Sequence, residues 1–73
     1  MDIKVQIGIR IRELREAKKL SQQDFADAAE LERSYITHVE NGKRNITIDS
    51  LYKVINALEV TPQHFFNSKL FAE

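Results

Sequence analysis

Arg33, Ser34, Thr37 and His38 are hydrogen-bonding residues spaced so that all four fall on one face of a helix. A guanidinium can hold O6 and N7 of a guanine through two parallel bonds, the most informative contact one side chain makes with a base edge. Ser34 and Thr37 can donate or accept, and His38 can touch a base or a phosphate. Asn41, Lys43 and Arg44 follow shortly after, a polar and cationic stretch suited to phosphate oxygens. Catalytic chemistry finds no comparable footing. His38 and His64 are the only histidines, they fall on separate predicted helices, and the chain has no Cys, so no metal centre is expected. Ser21, Ser34, Ser50 and Ser68 have no base at a readable spacing, and two isolated glycines make no phosphate loop. The sequence therefore reads as a non-enzymatic protein with no cofactor and no small-molecule substrate.

Such side chains need rigid helices behind them. Ile3, Ile7, Ile11, Leu14 and Lys18 follow spacings of three and four, which predicts an amphipathic first helix flanked by Arg10, Arg12, Arg15 and Glu16. It fades at Lys18-Lys19, whose charges suit a helix C-terminus. Ser21 caps a second helix, with Asp24 in the carboxylate position of a capping box and Phe25, Ala26 and Ala29 turned inward. A third helix spans about residues 33–41, with Tyr35, Ile36 and Val39 pointing into the core and Gly42 the left-handed residue after its end. Only Glu30, Leu31 and Glu32 separate the two, so they form a tight αα unit over about residues 21–41. Thr47 caps a fourth helix with a stripe at Leu51, Val54, Ile55 and Leu58, and Thr61-Pro62 opens a short fifth helix through Phe65 and Phe66. The expectation is an all-α, five-helix single domain over residues 1–73.

Length and charge bound the partners. Seventy-three residues with 42% hydrophobic content allow one small core and no deep catalytic pocket. No stretch is long and apolar enough for a signal peptide or a membrane span, which points to the cytoplasm; the Asn45-Ile46-Thr47 glycosylation triplet is then a chance match. Eleven cations balance eleven anions, which on its face argues against nucleic acid. The balance is uneven along the chain. Residues 1–20 carry a net +3, 21–32 a net −4, 33–45 a net +2 and 46–73 a net −1. Neutrality therefore predicts weak non-specific affinity rather than none.

Leu20-Ser21-Gln22-Gln23-Asp24-Phe25-Ala26, then Ser34-Tyr35-Ile36, then Val39-Glu40-Asn41-Gly42-Lys43-Arg44 resemble the repressor/Cro-type (XRE) helix-turn-helix family. Leu51 through Phe66, with Ala57-Leu58-Glu59-Val60-Thr61-Pro62, is similar to the remaining helices of that five-helix domain. Arg33-Ser34-Tyr35-Ile36 followed by Gly42-Lys43-Arg44-Asn45 looks most like the small controller regulators of restriction–modification systems. The resemblance implies that Ser21 and Gln22 contact the sugar-phosphate backbone, with Gln22 also bracing the recognition helix. It implies that Asn41, Lys43 and Arg44 anchor the other flank, and that Arg15 and Glu40 form a structural ion pair. Two positions depart from the family pattern. Glu30 stands where a Gly is usual, so either the turn tolerates a left-handed non-Gly residue or its geometry differs. Glu32 stands where Ser or Thr usually caps, and is expected to read a base, accepting from a cytosine N4, rather than to act as a penalty near phosphates.

Phe65, Phe66, Phe71 and Leu70 exceed what one terminal helix buries, so the tail either folds back on the first helix or lies at a dimer interface. The dimer is the favoured expectation, with Ile46 and Ile48 near the two-fold axis as the family implies. The resulting reading is a homodimeric, sequence-specific regulator of double-stranded DNA with a pseudo-palindromic operator. Its rival is an antitoxin whose aromatic C-terminal patch covers a toxin protein.

Overall fold

The computed structural model describes residues 2–72. Among them are five α-helices, one 3-10 turn and no strand: α1 (Ile3–Ala17), α2 (Gln22–Ala29), α3 (Arg33–Glu40), α4 (Ile48–Ala57), α5 (Pro62–Phe66) and the turn Lys69–Phe71. The starts are fixed by local side chains. Asp2, Ser21, Thr47 and Thr61 each accept a bond from a backbone N–H of the first turn they cap, at 2.9 to 3.1 Å. Pro62 occupies the first position of α5, where its missing N–H costs nothing.

The ends are less conventional. Gly42 follows α3 with φ +73°, as its position predicts, but Lys19, Glu30 and Glu59 adopt the same left-handed conformation without being glycine. Glu30 thus settles the turn between α2 and α3: it closes α2 with a φ of 58°, and its N–H bonds back to α2. Each such residue stores strain on the order of 1 kcal/mol. At the α1 end, Lys18 Nζ meets Glu59 Oε1, and this contact holds the exposed Glu59 carboxyl below its ordinary range.

The core is one cluster of Ile11, Phe25, Ala26, Ile36, Val39, Val54, Ile55, Leu58 and Phe65, drawn from all five helices. Two of the cations that flank the α1 stripe are turned into the protein rather than to solvent. Arg15 is buried, and Arg10 is half-buried with its guanidinium on the carbonyls of His64 and Phe65 at 2.9 and 2.7 Å. Arg10 thereby neutralises the orphan carbonyls that end the five-residue α5.

In the C-terminal segment the fold-back alternative is realised, and of the expected interface residues it removes Phe65. The tail folds back: Gln6 donates to the Leu70 carbonyl, Phe71 packs on the core, and the rings of Phe65 and Phe71 flank Phe66 at 5.0 Å each. Phe65 is fully buried within its own chain, so its ring is not an interface residue. Leu70 and Phe71 are half-buried by the same fold-back, and Ile46 rests partly against the core. Among the described residues, the large apolar side chains left exposed are Ile3, Ile48, Tyr52 and Phe66.

Gly8 decides how closely α1 and α3 approach. A Cβ at this position would collide with the Val39 carbonyl oxygen and lie 2.8 Å from that of Glu40. Both obstacles are backbone and cannot rotate away. Gly8→Ala raises helix propensity by about 1 kcal/mol, yet it should destabilise the fold by about 1–3 kcal/mol through overpacking. Urea unfolding checks this, and an unchanged or raised midpoint would contradict the close approach.

Candidate nucleic-acid interface

The third helix separates its residues by side. Ile36 and Val39 are buried, while Arg33, Ser34 and His38 are exposed and Thr37 is half-buried. The four polar residues singled out in the sequence therefore lie together on the outward face of α3. Glu32, just ahead of them, is exposed and makes no side-chain capping bond, so its carboxylate is free for an external donor. Asn41, Lys43 and Arg44 are exposed in the segment that follows.

Tyr35 differs from its expected place. It is half-buried rather than committed to the core, and Arg44 stacks over its ring at 4.9 Å from the centroid. Its hydroxyl lies 3.4 Å from the backbone N–H of Thr47, a long contact to the residue that caps α4. Tyr35 thus links α3 to the start of α4 and steadies Arg44 beside the outward face. The one signal in the sequence was the residue type: a tyrosine has a polar tip that an apolar position does not need.

Behind the face lies a buried charge pair. Arg15 of α1 donates from Nε to Glu40 Oε2 at 2.7 Å and from Nη2 to Oε1 at 3.0 Å, while Nη1 reaches the Leu20 carbonyl at 2.8 Å. The side chain of Glu40 is wholly excluded from solvent. The bond to Glu40 pushes the Arg15 guanidinium further up, against the opposing effect of burial. The bidentate geometry with a third donor on Leu20 satisfies the guanidinium fork that burial would otherwise leave in deficit.

Gln22, the first residue of α2, joins this pair to the outward face. Its Nε2 donates to Glu40 Oε1 at 3.1 Å, and its Oε1 accepts from the Thr37 hydroxyl at 3.0 Å. The bracing role expected of Gln22 is therefore present in the geometry, and only one of its N–H groups remains for a phosphate. Ser21 accepts from the Asp24 N–H as an N-cap at 3.0 Å, and its exposed hydroxyl keeps its proton for an outside acceptor. Among the described residues no group of three His, Cys, Asp or Glu side chains converges as a metal site would. No helix of the described chain is long and apolar enough to cross a membrane.

This arrangement, two short helices joined by a tight turn with the second one presented outward, matches a helix-turn-helix family model over residues 11–65, and the chain belongs to that family. Several of its relatives are control proteins. The control protein C.MunI of a Mycoplasma species is 39% identical over 67 residues, 90% of either chain, and the control protein C.BamHI of Bacillus amyloliquefaciens is 35% identical, covering 85% of this chain and 78% of its own. Among solved structures, the restriction-modification controller protein C.AhdI from Aeromonas hydrophila superposes with a TM-score of 0.83 at 43% identity, over 86% of this chain and 96% of its own. The controller protein C.Esp1396I, solved as a tetramer with its natural 35 base-pair operator, superposes with a TM-score of 0.92 at 31% identity, over 100% of this chain and 99% of its own.

The buried pair generates a stability test. Arg15→Ala or Glu40→Ala alone strands a charge in the interior and should cost about 3–5 kcal/mol. Replacing both, as Arg15→Ala with Glu40→Ala, should cost less than the two single losses together. Denaturant unfolding of the three variants measures this, and strictly additive losses would show that the two groups are not coupled.

Proposed function

We propose that this protein is a sequence-specific transcriptional regulator of the restriction–modification controller kind, acting in the cytoplasm as a single helix-turn-helix domain. It inserts α3 into the major groove of double-stranded DNA. The observation that carries this reading is the row Arg33, Ser34, Thr37 and His38, outward on a helix whose inner side is locked by Glu40 to α1 and α2. A reading helix must hold its side chains in register with base edges, and a helix of eight residues has no rigidity of its own.

Within this reading Arg33 addresses a guanine, Ser34, Thr37 and His38 read neighbouring groups, and exposed Glu32 accepts from a cytosine N4. Asn41, Lys43 and Arg44 hold phosphates on one flank, with Ser21 and the remaining N–H of Gln22 on the other. The net charge of zero leaves little non-specific attraction, so affinity must come from base contacts and from two copies acting together. Ile48 is 85% exposed and Tyr52, one turn further along α4, is 61% exposed, with Phe66 of α5 at 40%. These residues, with Ile46 at the rim, are the surface on which a second copy would close the homodimer. Similarity to controller proteins favours a stand-alone regulator over an antitoxin.

Selection from a random DNA pool should enrich an inverted repeat whose half-sites lie about one helical turn apart. Arg33→Ala should then relax base preference at one position of each half-site, whereas Lys43→Ala should weaken all sequences alike and reduce the salt slope by about one. Failure to enrich any sequence at low and at moderate salt would overturn the reading; identical behaviour of the two variants would overturn the division into reading and anchoring residues.

The surface on α4 makes a separate prediction. Ile48→Asp should leave thermal unfolding of the subunit nearly unchanged, because the side chain contributes little to the core. It should shift sedimentation toward the monomer and weaken binding to the two-half-site operator by tenfold or more, to within a few fold of a single half-site. A dimer that survives the substitution would place the interface elsewhere.

A further inference from the structure

Thr37 is the one residue on the outward face whose hydroxyl is tied to the buried network, and that tie restricts what it can say to DNA. A threonine hydroxyl has one proton to give and two lone pairs to receive with. Both internal partners of Thr37 Oγ1 are oxygens that only accept: Gln22 Oε1 at 3.0 Å and the Arg33 carbonyl at 3.0 Å. Whichever of them takes the proton, it is used inside the protein.

The direction of this bond is set from the interior. Both oxygens of the Glu40 carboxylate accept from Arg15, and Oε1 also faces the side-chain amide of Gln22 at 3.1 Å. A carboxylate accepts, so the amide must turn its nitrogen to Glu40 and its oxygen to Thr37. Flipping the amide would set oxygen against oxygen at a buried charge. The buried pair therefore imposes one polarity on the whole chain: guanidinium donates to carboxylate, amide nitrogen donates to carboxylate, and hydroxyl donates to amide oxygen. Both lone pairs of Thr37 Oγ1 remain unclaimed by any of these partners.

We propose that Thr37 reads the operator as an acceptor only, so that the base it meets presents an amino group in the major groove, adenine or cytosine. In the major groove adenine N6 and cytosine N4 donate, whereas guanine O6 and N7 and thymine O4 accept. Phosphate oxygens accept as well, so the same restriction makes Thr37 a base-reading residue and not a backbone anchor. Arg33, one turn earlier, has donors and no acceptor and selects the opposite class of base edge. Two adjacent turns of α3 thus present opposite hydrogen-bonding characters. This inference rests on the DNA-binding reading above and adds to it the chemical class of one base.

The test is a selection from random DNA followed by equilibrium binding, with wild type, Thr37→Val, Thr37→Ala and Thr37→Ser. Wild type should prefer adenine or cytosine over guanine or thymine at one half-site position. Thr37→Val should level that position and weaken the best operator by roughly three- to tenfold, the worth of one hydrogen bond. Removing the amino group from the DNA, with purine in place of adenine or 2-pyrimidinone in place of cytosine, should cost wild type the same factor and Thr37→Val nothing. Thr37→Ser should keep the preference. The inference is overturned if the Thr37-dependent position prefers guanine or thymine, or if Thr37→Val weakens all sequences equally or none. Should Thr37→Val fail to fold, Thr37→Ala carries the same comparison, and wild type lacking any amino-preferring position overturns the inference by itself. A wild type that enriches no sequence at all overturns the regulator reading, a distinct outcome.

Discussion

A guanidinium and a carboxylate have been taken out of water at the centre of this protein, and most of its organisation follows from making that tolerable. Two unpaired buried charges would cost several kcal/mol each. Arg15 and Glu40 avoid this only by meeting in bidentate geometry and by drawing in the Leu20 carbonyl and the Gln22 amide. The bonds reach from α1 to the connection before α2, to the first residue of α2, and to the last residue of α3. Apolar side chains of similar volume could fill the same space with equal or greater stability, but they would not fix the helices in angle or give the network a direction. The charge pair is thus less a source of stability than a source of definition.

Much of the scaffold was legible because it depends on local chemistry. Ser21, Thr47 and Thr61 cap helices for reasons contained within three residues, and Gly42 ends α3 because its backbone conformation suits glycine. The polar row on α3 was legible from spacing alone. What periodicity could not reveal were residues whose role is set by another element. Periodicity placed Arg10 and Arg15 only beside the α1 stripe, since a helix pattern does not say that a charge has a partner across the fold. Arg15 and Glu40 emerged as a pair only through family resemblance. Gly8 read only as an isolated glycine, because a close approach exists only once α3 is in place. The aromatic tail shows the same blindness: its apolar content was plain, but whether it covers its own chain or another is decided by the path of residues 67–72.

The uneven charge also acquires a structural meaning. The anions of residues 21–32 include exposed Asp24 and Asp27 on α2 and exposed Glu30 and Glu32 at the turn, while Arg33, Lys43 and Arg44 are exposed on and after α3. Arg44 is partly occupied by its stacking on Tyr35, so even this small set of cations is not wholly diffuse in its effect. A surface like this attracts DNA only where fit and hydrogen bonding add to charge. Discrimination among sequences is then favoured over retention on any sequence.

Gly8 lies behind α3 rather than on its outward face, yet it governs where that face can be. Its missing side chain lets α1 touch the carbonyls at the C-terminal end of α3, so this contact is the pivot of the reading helix. A helix of eight residues is only about 12 Å long, and lifting one end by about 1 Å would swing the other by a similar distance. Two copies facing one duplex would double the error to about 2 Å, against a rise of about 3.4 Å per base pair. A single carbon atom buried between α1 and the reading helix would thus consume most of a base-pair step. The spacing tolerance of a two-fold operator would in this sense already be written at a glycine on the inner side of α3.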